Sequence, residues 1–271
     1  MVPRYLIEFS ADYSTYFMQR NQGKKRRPES YRDRTYRIME QSGLVSSYVR
    51  MVETDLHILA PFKVEDQTLR LVSEVRRQIE GYIRGHASFV DSLSPLPQDE
   101  SAPSPVKLML QAGLNAGVGP MAAVAGTIAE SVGRGLQQEG VDDLIVENGG
   151  DIFMARKREC TVSVFAGNSP LSGRIGIRLA PDAMPCAVCC SSGTVGHSLS
   201  FGHADAVVVT AASSSLADAA ATRIGNEVGR GRGGLKPALH AAKEIRGLGG
   251  ILIIRGERLG ALGDIELVQL T

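Results

Sequence analysis

Six short β-rich runs, DLIVE, DIFMA, CTVSVFA, GRIGIRL, CAVCC and DAVVVTA, crowd residues 143–211, with little but Gly, Pro, Ser, Asn and charged residues between them. Strands bounded by turn-forming residues, with only a few helical segments interleaved, predict an α+β fold with a largely antiparallel or mixed sheet. Around this block, LVSSYVRMVETDLHILA at 44–60 nearly alternates apolar and polar residues, which predicts two strands or one long bent strand. Val64, Leu69, Val72, Val75, Ile79 and Ile83 then recur at mostly helical spacing and predict one helix with a single buried stripe.

Residues 92–106 pack four prolines among polar residues and read as a loop or linker. Beyond it, QAGLNAGVGPMAAVAGTIAESVGRGLQQEG places Gly119-Pro120 at a probable first turn and Gly140 just past a helix end. Its small residues allow close approach to a sheet or a ligand. Further helical patterns lie near 215–228 and 237–246, before GILIIRG and a closing strand, IELVQL. The expected organisation is a basic mobile tail at 1–30, then one domain at 31–271 with halves at about 31–100 and 101–271.

The 271 residues are 43% hydrophobic, enough for a core that needs no disulfide or structural metal. A net charge of +1 gives no global field for nucleic acid or anionic membrane. Local charge differs, since 20–37 carries eight Arg or Lys against Glu29 and Asp33 and reads as a solvated arm. No apolar run reaches the roughly 18 residues of a membrane span. Arg4, Glu8 and Asp12 break the N-terminal apolar runs before a signal core can form. Four cysteines, Cys160, Cys186, Cys189 and Cys190, suit a reducing compartment, and the expectation is a cytoplasmic protein. CAVCC has no second Cys pair or His cluster spaced to complete a four-ligand metal site, so buried thiols on a strand are expected.

Three stretches carry candidate chemistry. In VENGGDIFM, Gly149 and Gly150 either turn a hairpin or let a ligand touch bare backbone, while Asn148 and Asp151 can contact a sugar, a base or a cation. In SSSLADAAATRIGN the serines can cap a helix, and Asp218 and Thr222, four residues apart, then share a face. A carboxylate and a hydroxyl so placed suit a hard cation such as Mg²⁺; equally, they suit a polar helix face. In SSGTVGHSLSFGHADAV, Ser, Thr and His sit in a glycine-broken loop, without the G-x-S-x-G elbow of a hydrolase.

Taken in order, GPMAAVAGTIAE, ENGGDI, SSGT and LADAAAT resemble the motifs of the ApbE-like superfamily of FAD:protein FMN transferases, and within it the UPF0280 group. The resemblance runs from about Arg34 to the C-terminus. It implies two related T-fold-like halves and a flavin dinucleotide, FAD, held between them at Asn148, Gly149, Gly150, Asp151, Ser192, Gly193 and Thr194. It also implies Mg²⁺ on Asp218 and Thr222, and an acceptor protein whose Thr or Ser takes FMN. Gly119 and Ala125 stand where that family carries an acid and a Lys, and GHSLSFG is shorter than its counterpart, leaving His197 or Glu130 as the catalytic acid-base candidate. The expected function is Mg²⁺-dependent binding of a dinucleotide or similar phosphorylated small molecule, with FMN transfer or, alternatively, a non-catalytic flavin-binding or protein-interaction role, and a homodimer is the expected assembly.

Overall fold

A computed structural model describes residues 43–193, 202–229 and 234–270. The basic arm, Thr194 and His197 lie outside them. An eight-stranded, wholly antiparallel sheet runs in the order β1-β2-β3-β4-β7-β8-β9-β10, and a three-stranded sheet in the order β11-β6-β5. The α+β expectation is met.

Each β-rich run becomes a strand: β3 Leu144–Asn148, β4 Asp151–Ala155, β5 Cys160–Ser163, β6 Ile175–Leu179, β7 Cys186–Ser191 and β8 Ala206–Ala211. The nearly alternating stretch at 44–60 forms a hairpin, β1 Val45–Met51 and β2 Thr54–Ala60. β9 Leu248–Arg255, β10 Arg258–Gly263 and β11 Glu266–Gln269 close the chain.

The central strands read as continuous apolar runs because both sheet faces are covered. On one face Val207, Val209, Ile251 and Ile253 join a core built with the helices. Their neighbours Ala206, Val208, Leu252 and Ile254 point the other way, into a second core shared with Cys160, Val162, Ile177 and Leu179 of the small sheet. The protein is therefore layered as helices, large sheet and small sheet.

The helices are α1 Glu65–Gly85, the single turn α2 Ser88–Asp91, α3 Ser104–Ala116, α4 Val124–Gln138, α5 Ser214–Asn226 and α6 Leu235–Glu244, with a 3₁₀ turn at Pro120–Ala123 leading into α4. α3 corrects the sequence reading, since its first residues fall inside the expected 92–106 linker. Pro105 at its start has no amide proton to lose there, so the last proline of that run opens a helix. Among the described residues no single helix is long and apolar enough to cross a membrane.

Candidate functional site

The site is built where the β3–β4 turn meets the starts of α4 and α5. Asn148 pairs with Asp151 across the turn, and Gly149 and Gly150 take φ of 68° and 104°, left-handed values that glycine adopts without strain. VENGGDIFM is thus a two-residue hairpin, the first of its two readings, and its flanking polar groups point at other elements. The Gly150 amide donates to Glu147 Oε1 at 2.9 Å, which fixes the turn. Asn148 Nδ2 donates to the Ala125 carbonyl at 3.0 Å, which ties it to α4.

α5 begins at the N-cap Ser213, whose side chain accepts from the Leu216 amide, so the serine run does cap the helix. Asp218 lies one turn in and is half-buried. Its Oδ2 accepts from the Gly126 amide of α4 at 2.9 Å. The helices approach this closely because Gly126 has no side chain; a Cβ there would overlap the Ser214 carbonyl and sit 2.9 Å from Asp218 Cβ. Thr222, also half-buried, is one turn further along the same face.

Asp151, on β4, is buried with Asp218 and the Cys189 thiol beside it. Burial first, and then the neighbouring Asp218 carboxylate, hold Asp151 well above the usual carboxylate range. Burial likewise pushes Asp218 up to about 7, against the opposing pull of the Gly126 and Ala125 amides. Two carboxylates this close cannot both ionise cheaply without a cation or a shared proton. Three buried atoms here, Asn148 Oδ1, Asp151 Oδ1 and Ser191 Oγ, make no hydrogen bond to the described residues. Oxygens of this kind are the donor set of a hard cation. Among the described residues no three His, Cys, Asp or Glu side chains gather in ligating geometry.

Of the other sequence candidates, Ser192 is buried and Gly193 lies against the Gly202 carbonyl, at the base of the loop that leaves β7. Gly202 in turn packs on the Gly225 carbonyl near the end of α5, so this base runs beside the helix that carries Asp218 and Thr222. Glu130 is buried and engaged on both oxygens: Oε2 accepts from the Ser214 amide at 2.7 Å and the Ser213 hydroxyl at 3.1 Å, and Oε1 faces Arg134 at 2.8 Å. Its observed contacts anchor α5. Sequence reasoning missed Cys189, Ser191 and the α4 amides. The register of β4 on β7, with Ile152 opposite Val188, is what brings the β7 residues here.

The layered fold and this turn-helix site define an ApbE-type architecture. The flavin transferase ApbE from Vibrio cholerae superposes with a TM-score of 0.51 at 14% identity, over 82% of this chain and 97% of that one. A family model described as "AbpE bacteria" matches residues 37–252. A UPF0280 protein of Methanococcus maripaludis is 45% identical over 193 residues, covering 70% of this chain and 78% of its own. One from Methanocaldococcus jannaschii is 40% identical over 231 residues, covering 81% and 92%. The chain belongs to the ApbE-like superfamily, in its UPF0280 group.

Proposed function

We propose that the protein binds FAD, or a dinucleotide close to it, together with Mg²⁺ at the Asn148–Asp151 turn and the face of α5. The observation that carries this reading is the pairing of buried Asp151 with half-buried Asp218, beside Oδ1 atoms of Asp151 and Asn148 that make no hydrogen bond to the described residues. Asp218, Asp151 and Thr222 would hold the cation, which supplies charge neutralisation to a diphosphate. Gly149 and Gly150 leave the turn without side chains for a nucleotide to meet, and Ser192 and Gly193 lie at the end of β7, where Gly202 links them to α5. Kinship with proteins named for flavin transfer supports flavin as the ligand type. The four buried free thiols accord with work in a reducing cytoplasm.

Transfer from FAD to a protein would have an acceptor Thr or Ser hydroxyl oxygen form a bond to the FMN-side phosphorus while the bridging P–O bond to AMP breaks. AMP leaves with the bridging oxygen, and the hydroxyl proton needs a base. Glu130 is committed to Ser214, Ser213 and Arg134, and His197 lies outside the described residues. Binding without rapid transfer is the second reading, favoured by the uncharged Gly119 and Ala125.

Calorimetry of the full chain with FAD, with and without Mg²⁺, tests the proposal. Mg²⁺-dependent binding that disappears in Asp218→Asn and weakens in Asn148→Ala is expected. FAD affinity indifferent to both Mg²⁺ and Asp218 would refute it.

A further inference from the structure

We propose that four sulfur atoms at the margin of the layer between the two sheets, those of Met154, Cys160, Met184 and Cys186, form a binding site for a soft monovalent metal ion of the Cu(I) type. The site lies on the opposite face of the large sheet from Asp151 and Asp218 and is separate from the nucleotide reading.

The sulfurs come from distant segments that the fold gathers. Met154 on β4 is directly opposite Cys186 on β7, and both side chains enter the inter-sheet core. Cys160 reaches the same core from β5 of the small sheet, and its Sγ lies 3.6 Å from Met154 Sδ. Met184, two residues before Cys186, places its Sδ 3.4 Å from Cys186 Sγ. The pairing of Met154 with Cys186 across β4 and β7 sets the two sulfur pairs beside each other. Two sulfurs bound tetrahedrally at about 2.3 Å to a shared ion lie about 3.8 Å apart, so the spacing within each pair needs to open only slightly.

The donors dictate the ion. Thiols with thioethers select Cu(I) and its congeners over the oxygen-seeking Mg²⁺. Burial, then the neighbouring Cys186 thiol, pushes Cys160 up to about 12, and burial does the same to Cys186. Without metal both thiols are protonated and inert. A thiophilic cation displaces both protons, forming two thiolate–metal bonds and releasing the protons to solvent, with no change of oxidation state. The complex carries one net negative charge. Arg156, whose side chain is 1% exposed and pairs with Asp143 at 2.9 Å, stands near Cys160 as a countercharge. Half-buried Met184 offers the way in from solvent.

Anaerobic titration of the full chain with Cu(I) against a chromogenic Cu(I) chelator tests this. A single equivalent bound per chain is expected, with a near-ultraviolet thiolate-to-metal band and only sulfur neighbours in X-ray absorption. Cys160→Ser and Cys186→Ser should each weaken binding at least about a hundredfold, beyond what loss of an outer-shell partner costs, while Cys190→Ser leaves it intact. Met184→Leu conserves volume at a half-buried position, so it keeps the fold and should weaken binding about tenfold. Oxygen or nitrogen neighbours around the metal, no binding above the chelator, or unchanged affinity in Cys160→Ser and Met184→Leu would each overturn the assignment.

Discussion

Glu130 and Asp218 cap each other's helices. Glu130, on α4, accepts the Ser214 amide at the start of α5 at 2.7 Å, and Asp218, on α5, accepts the Gly126 amide at the start of α4 at 2.9 Å. A helix N-terminus exposes unpaired amides and a partial positive charge, and here each is met by a carboxylate from the other helix. The exchange fixes Asp218 before any ligand arrives.

Glu130→Ala removes one half of the exchange and leaves the buried Ser214 amide without an acceptor. It should cost about 1–3 kcal/mol in urea unfolding and also weaken Mg²⁺ binding, because Asp218 loses its alignment. Glu130→Gln keeps an acceptor oxygen and should lose less of both. An Ala variant as stable as wild type would show that water replaces the carboxylate without cost.

Gly126→Ala should push the two helices apart, since its Cβ would run into the Ser214 carbonyl. Overpacking of this kind costs about 1–3 kcal/mol. Gly140→Ala is the control: its φ of +89° strains any side chain, but nothing lies within 4 Å of the new Cβ. Both variants should melt earlier, and only Gly126→Ala should lose Mg²⁺ affinity. Equal loss of affinity in both would detach the helix contact from the site.

Stability should fall as pH rises through the weakly acidic range. Burial pushes Asp218 from 3.8 to about 7; burial and then Glu147 do the same to Asp55. Asp151 moves in the same direction. A carboxyl whose folded value lies above its unfolded value holds its proton longer in the native state, so the native state is favoured below the window and disfavoured above it. Urea midpoints in chelator should therefore drop between about pH 4 and pH 7. Mg²⁺ should restore the part due to Asp151 and Asp218. Asp218→Asn should flatten the profile and abolish that rescue, whereas Asp55→Asn flattens it and keeps the rescue. A midpoint that climbs across this window contradicts the assignment.

The sheet was legible because its strands are contiguous apolar runs fenced by turn residues, a local signal. β10, Arg258–Gly263, was not, since this edge strand lies largely exposed and carries few β-formers. α3 was hidden by the prolines that lead into it. Among the candidate residues, Asn148, Asp151 and Asp218 could be named from residue type and motif order, and the fold brings them together. Their partners were not: Gly126 and Asp218 are 92 positions apart, and the contact exists because a missing side chain lets two helices close. Cys160 and Cys186 were set aside as separate thiols for the same reason, since strand register and the stacking of two sheets bring their sulfurs toward Met154 and Met184.

The last prediction concerns catalysis and rests on two positions that lack charge. A Cβ on Gly119 would overlap the Ser92 carbonyl, so the backbone itself excludes any side chain there. Ala125 differs: it is half-buried, its carbonyl holds Asn148, and it directly precedes the glycine whose amide Asp218 accepts. A cation on its side chain would stand beside the expected diphosphate and stabilise charge on the departing AMP. Wild type should therefore bind FAD with Mg²⁺ but move FMN to a Thr- or Ser-containing acceptor peptide slowly. Ala125→Lys should raise that rate at least about tenfold while Gly119→Glu yields little folded protein, with a flavin-sized mass gain on the peptide as the readout. Fast transfer by wild type, or a Lys variant that binds FAD no worse yet transfers no faster, would show that this chain finds its catalytic charge elsewhere.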